Sequence, residues 1–102
     1  MTPLTNAQLR ELKARAQRLK ATLKLGKAGL SPEFLAALEQ ELQRHELVKV
    51  KFDAFKEQKK ELSPQLAEKT ASHLVMRVGN VVVLFRPRPE GDEEESTANG
   101  RE

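Results

Sequence analysis

The chain has 102 residues, no cysteine, 38% hydrophobic and 32% charged residues, and a formal net charge of +3. That length suits one domain and a tail, with a core of two packed layers and no room for a large internal cavity. Disulfides and thiolate metal sites are excluded, and no apolar run of about 18 residues is present to span a membrane.

Residues 1–12 contain no hydrophobic signal core, so a cytoplasmic protein is expected. The average charge hides a split. Residues 1–89 carry 17 Lys and Arg against nine acids, a net of +8, while residues 90–102 carry one Arg against six acids, a net of −5. The expected organisation is a folded basic domain over 1–89 and a disordered acidic tail over 90–102, which has almost nothing to bury. A basic compact domain attracts polyanions through its summed field, although such charge also serves solubility alone.

Thr5-Asn6-Ala7-Gln8 fits a capping box, with Leu4 and Leu9 placed to staple across it. Leu9, Leu12, Ala16 and Leu19 then form one helical stripe, with Arg10, Lys13, Arg15, Arg18 and Lys20 on the other faces. Thr22-Leu23-Lys24-Leu25 alternates as a short strand and runs into Gly26-Lys27-Ala28-Gly29. Ser31-Pro32 is a cap followed by proline at the first helical position. Phe34, Leu35, Leu38 and Leu42 give that second helix its buried stripe, ending near His45-Glu46.

Leu47 to Phe52 is the clearest strand, with Val48, Val50 and Phe52 on one face and Lys49 and Lys51 on the other. The charged stretch from Asp53 to Glu61 has no clear period. Ser63-Pro64 repeats the cap-plus-proline signature and predicts a third helix over 64–72, buried through Leu66, Ala67 and Thr70 or Ala71, with a helical turn before Ser63, broken at the proline, as the alternative. Residues 74–78 and 81–86 flank Gly79-Asn80, which predicts a hairpin with its second strand covered on both faces. Pro87 and Pro89 end regular structure. The predicted order is α-β-α-β-α-β-β, an α/β (α+β) fold with a small mixed four-stranded sheet packed with three helices.

Gly26-Lys27-Ala28-Gly29 is the leading candidate site. The first turn of a helix has unpaired N–H groups and a partial positive charge, and a glycine loop ahead of it lets a phosphate approach the backbone. A GXXG loop clamps a nucleic-acid backbone in this way in the KH module. Two glycines three apart also occur in plain tight turns, and the longer spacing and Lys-Ser/Thr pair of a P-loop are missing. Lys24, Lys49 and Lys51 have alternate strand placement, which suits either phosphate contact or a solvent-facing row that blocks edge aggregation. Arg86 and Arg88 either reach phosphates or make a polar strand end.

Of the four Phe, only Phe55 falls outside a predicted core face, so base stacking is weakly supported and backbone recognition of structured RNA fits better. His45 and His73 lack metal-ligand spacing. Ser31 and Ser63 read as caps. No acid–base pair stands out, so no enzyme, metal, cofactor or small-molecule substrate is expected.

The stretches 23–30, 45–51 and 78–87, together with Leu4-Thr5 and the basic first helix, resemble the CRM domain family (chloroplast RNA splicing and ribosome maturation), in its bacterial YhbY-like form. The resemblance implies a fold similar to the C-terminal domain of translation initiation factor three. It implies RNA binding through the GXXG loop and adjacent basic surface, and association with precursors of the large ribosomal subunit. Phe85 stands where family members often carry Tyr. The resulting expectation is a monomeric, cytoplasmic RNA-binding protein using Gly26, Lys27, Ala28, Gly29, Arg10, Lys13, Lys20 and Lys24, with Lys49, Lys51 and Arg86 as further candidates. The alternative is a basic adaptor that docks an acidic protein partner.

Overall fold

In a computed structural model of the chain, residues 3–87 are described. The proposed boundary at residue 89, Arg88 and the acidic stretch 90–102 lie outside them. The elements are α1 (Asn6–Ala16), β1 (Leu23–Leu25), α2 (Pro32–Arg44), β2 (Leu47–Phe52), α3 (Lys59–Lys69), β3 (His73–Val78) and β4 (Val81–Phe85), with a 3₁₀ turn over Lys56–Gln58. The order is the expected one.

Two helix starts follow from local chemistry. Thr5 Oγ1 accepts the Gln8 N–H at 3.1 Å while Gln8 Oε1 accepts the Thr5 N–H at 2.8 Å, which completes the capping box. Ser31 Oγ accepts the Phe34 N–H at 3.1 Å, with Pro32 in the first helical position.

Two helices differ from expectation. α1 ends at Ala16, three residues short of Leu19. The Arg18 and Leu19 N–H groups turn back to the Arg15 and Ala16 carbonyls, and the Lys49 ammonium donates to the carbonyls of Ala16 (3.0 Å) and Leu19 (2.9 Å). A strand residue 30 positions away thus stops the helix, a partner that the helix's own period does not reveal. Lys20 consequently sits in the connection to β1.

α3 begins at Lys59 and contains Pro64 in its interior. Ser63 does not cap it. That residue is buried, and its hydroxyl donates back to the Lys59 carbonyl at 2.5 Å. Leu62 packs on the core and Leu66 is buried in it, so the apolar stripe needs a turn before the proline. Burial of that stripe offsets the one backbone hydrogen bond that proline removes.

The sheet order is β1-β2-β4-β3, with β1 and β2 parallel and the other pairs antiparallel. β4 is interior, and Val82, Val83 and Leu84 are all buried, as its unbroken apolar run implies. Strand alternation divides the core. Leu25, Val50, Phe52, Val82 and Leu84 face α2 and α3, meeting Leu38, Leu42 and Leu66. Leu47 and Val83 face the other way, meeting Leu12 and Ala16 of α1. A register shift between Leu74 and Met76 marks a bulge that adds Val75 to the α1 side. The layers therefore number three, α1, the sheet, and α2 with α3, one more than the length suggests, because both faces of the sheet are covered.

Candidate nucleic-acid interface

The loop Gly26–Gly29 leaves the end of β1 and is pinned beside the exit of β2. The Leu25 carbonyl accepts the N–H groups of both Asp53 and Ala54 at 3.0 Å. Within the loop the Gly29 N–H donates to the Gly26 carbonyl at 3.0 Å, closing a four-residue turn that leaves Lys27 and Ala28 exposed at its tip.

The two glycines answer to different demands. Gly29 is buried with φ +68°, and a Cβ there would lie 3.4 Å from Cε2 of Phe55. The Cβ contact would be an ordinary one, and it is the left-handed backbone that favours glycine at this position. Gly26 is exposed, its φ is not in the left-handed region, and a Cβ would meet nothing within 4 Å. Nothing inside the protein requires glycine there.

Lys24 and Lys51 are direct cross-strand neighbours in the β1–β2 register, and both are exposed. Their neighbours along each strand point into the α2/α3 core, so these two lysines lie on the α1 face of the sheet. Because α1 stops at Ala16, this end of that face stays uncovered, and Val78 remains 61% exposed on it. Two like charges side by side repel each other, and an anion between them relieves that repulsion. Arg10 and Lys13 are exposed on α1, on the same side of the sheet. Lys20 is exposed beside Leu19, Glu41 and His45 along the flank, away from the loop.

Two of the sequence candidates, Lys49 and Arg86, have partners within the fold. The Lys49 ammonium caps the end of α1, as described above. The Arg86 guanidinium forms an ion pair with Glu39 at 2.8 Å and donates to the Thr70 carbonyl at 2.9 Å, tying β4 to α2 and to the end of α3. Each satisfies carbonyls that a distant segment leaves open, and neither ammonium nor guanidinium is directed at solvent alone.

The same end of the sheet as the loop holds further ties. Lys59 Nζ donates to Asn80 Oδ1 at 2.9 Å, and the Phe52 N–H donates to the Asn80 carbonyl at 2.7 Å, which fixes the hairpin turn beside the start of α3. The segment 53–58, which shows no clear period, is thereby packed against the loop, and it brings the Phe55 ring to Gly29. The sequence pattern underrates Phe55 because its neighbour, Gly29, lies 26 positions away. Among the described residues no group of three or more His, Cys, Asp or Glu could hold a metal ion. His73 stacks on Phe85 with ring centroids 6.3 Å apart, and its partial burial holds the imidazole below its ordinary value of 6.5.

The model of the CRS1/YhbY (CRM) domain matches residues 4–86. An RNA-binding protein of Haemophilus influenzae is 36% identical over 91 residues, covering 88% of this chain and 92% of that one. A Bacillus subtilis protein named as a probable RNA-binding protein, YqeI, is 30% identical over 88 residues, covering 85% and 92%. The solution structure of the Staphylococcus aureus protein SAV1595 superimposes with a TM-score of 0.73 at 32% identity, covering 89% of this chain and 96% of that one.

Proposed function

The chain belongs to the CRS1/YhbY (CRM) domain family, and from that premise we propose that it is a non-enzymatic cytoplasmic RNA-binding protein acting on large-subunit ribosomal RNA or its precursor particles. The Gly26–Gly29 loop carries the phosphates, with Lys27 supplying charge at its tip. Lys24 and Lys51 extend the contact along the open end of the sheet, and Arg10 and Lys13 continue it over α1. The relatives' names as RNA-binding proteins support the partner class.

The observation that carries the loop assignment is Gly26. Its backbone needs no glycine and its Cβ direction is empty. A sugar-phosphate chain lying against the loop supplies a reason, because a residue without Cβ lets the chain approach the backbone N–H groups more closely.

Binding of a large-subunit ribosomal RNA fragment across a salt series tests this. Lys27→Ala should weaken binding and flatten the log–log salt slope by about 0.7–0.9, the value expected when one phosphate is no longer neutralised. Gly26→Ala should weaken binding without loss of stability. Wild-type affinity in both variants would overturn the loop assignment. For the ribosomal target, crosslinking in cells followed by sequencing of the attached RNA should recover large-subunit precursors, and recovery of unrelated RNAs alone would remove that part.

A further inference from the structure

We propose that the groove beside the loop is a subsite for one unpaired nucleobase, stacked on the Phe55 ring and held at its edge by Gln58 and Gln65. The inference rests on the phosphate role of the loop and adds a second kind of contact to it. Three observations carry it.

The first is the state of Phe55. It adopts a left-handed backbone conformation, φ 57° and ψ 33°, which is unfavourable for a bulky side chain, and the residue remains 40% exposed. The other three Phe follow the ordinary logic of burial: Phe52 is fully buried, and Phe34 and Phe85 pack against the two core clusters. In Phe55 an unfavourable conformation delivers an apolar ring to the surface, with its edge turned to Gly29. The ring is thus part-covered at Gly29 and part-open to the groove.

The second is the groove itself. It runs between the loop and the first turns of α3, with Phe55 on one side and Leu62 adding apolar surface. Gln58, just ahead of α3, and Glu61 and Gln65, four residues apart on one face of it, border the groove. Among the described residues none of these three side chains has a hydrogen-bond or ion-pair partner. An aromatic plate bordered by unengaged amides matches a nucleobase, which has a π-face and an edge that both donates and accepts.

The third is continuity. Ala28 and Gly29 belong at once to the turn and to the groove wall. A strand whose phosphate lies on the loop presents its attached base beside it, within reach of the ring. Glu61 at the rim repels a phosphate and accepts hydrogen bonds from base N–H groups, so the groove receives the base while the loop receives the backbone.

The experiment uses the full chain and a single-stranded RNA of about ten nucleotides, compared with an abasic sugar-phosphate of the same length. The wild type should prefer the RNA over the abasic strand by roughly 5- to 150-fold, the range expected for one stacked base. Phe55→Leu should lose that preference while keeping the wild-type salt slope. The chain has no Trp or Tyr, so Phe55→Trp creates a single emitter whose fluorescence should be quenched at saturating RNA. This readout does not depend on how Phe55→Leu folds. Unchanged emission at saturation, or wild-type preference in a folded Phe55→Leu protein, would overturn the subsite while leaving the loop intact, provided Lys27→Ala still weakens binding. Wild-type binding that ignores both salt and Lys27→Ala would instead fail the loop reading, and the subsite would fall with it.

Discussion

Lys49 and Lys51 lie two residues apart on β2 and share a face of the sheet, yet they belong to different regions. Lys49 lies at the end of α1, and its ammonium satisfies the Ala16 and Leu19 carbonyls. Lys51 lies past the point where α1 stops, exposed beside Lys24. At the covered end of the sheet the cations are structural, as Arg86 with its Glu39 and Thr70 contacts also demonstrates. At the uncovered end they are left to solvent, next to a loop whose first glycine serves no internal purpose. Basic residues with the same sequence signature thus divide by what lies over them.

That division can be broken by substitution. The largest effect is expected at Lys49→Met, which keeps an apolar stem and removes both carbonyl contacts. Urea unfolding should show a loss of about 1.5–3 kcal/mol, the range for hydrogen bonds from a charged donor. RNA affinity corrected for the folded fraction should stay within about twofold, since no phosphate partner is removed. A stable variant that binds RNA poorly would place Lys49 with the other lysines and erase the contrast.

The two glycines provide the next contrast. Gly29→Ala forces a Cβ onto a left-handed residue and should cost about 1–2 kcal/mol in thermal or urea unfolding. Gly26→Ala should be neutral or stabilising by up to about 1 kcal/mol, because it only restricts the unfolded chain. Equal losses at both positions would mean that Gly26 also has a structural role.

Replacing Lys24 and Lys51 together by Ala should change stability by less than about 0.5 kcal/mol, since a like-charge pair is removed from the surface. The same double variant should flatten the log–log salt slope of RNA binding by about 0.7–0.9 for each phosphate that these lysines neutralise. An unchanged slope would restrict the interface to the loop.

The smallest effect concerns pH. Burial disfavours the charged form of His73 and lowers its folded value below the unfolded 6.5. The unfolded chain therefore binds the proton more readily. The stability from the neutral ring is present above about pH 6.5 and is lost as pH falls through the folded value. Unfolding free energy should decline more steeply between about pH 7 and pH 5 in the wild type than in His73→Phe, which keeps a ring beside Phe85. Parallel profiles would remove the contribution.

Much of the fold is legible in the chain because it is written locally. The Thr5 capping box and the Ser31-Pro32 start need only neighbours three residues away, and the alternation in 47–52 and the apolar run 81–85 are properties of short segments. The loop is also legible as a position, since a strand precedes it and a capped helix follows. Its closeness to Phe55 is not, and Ser63-Pro64 misleads for the same reason: a cap signature is local, whereas the demand to bury Leu62 and Leu66 comes from the core they meet.

By itself the sequence determined the order of elements, the division into apolar and basic faces, and the candidate loop between β1 and α2. Only the tertiary structure decided where α1 ends, which cations are engaged, and at which of the two glycines the backbone favours that residue. The physical reason is range. Caps, periodicity and turn chemistry act over about four residues, so they can be read in a line of letters. The sheet brings Lys49 to α1, Arg86 to Glu39 and Phe55 to Gly29 across separations of 26 to 47 positions, and only the folded chain reveals whether a lysine faces a carbonyl or water.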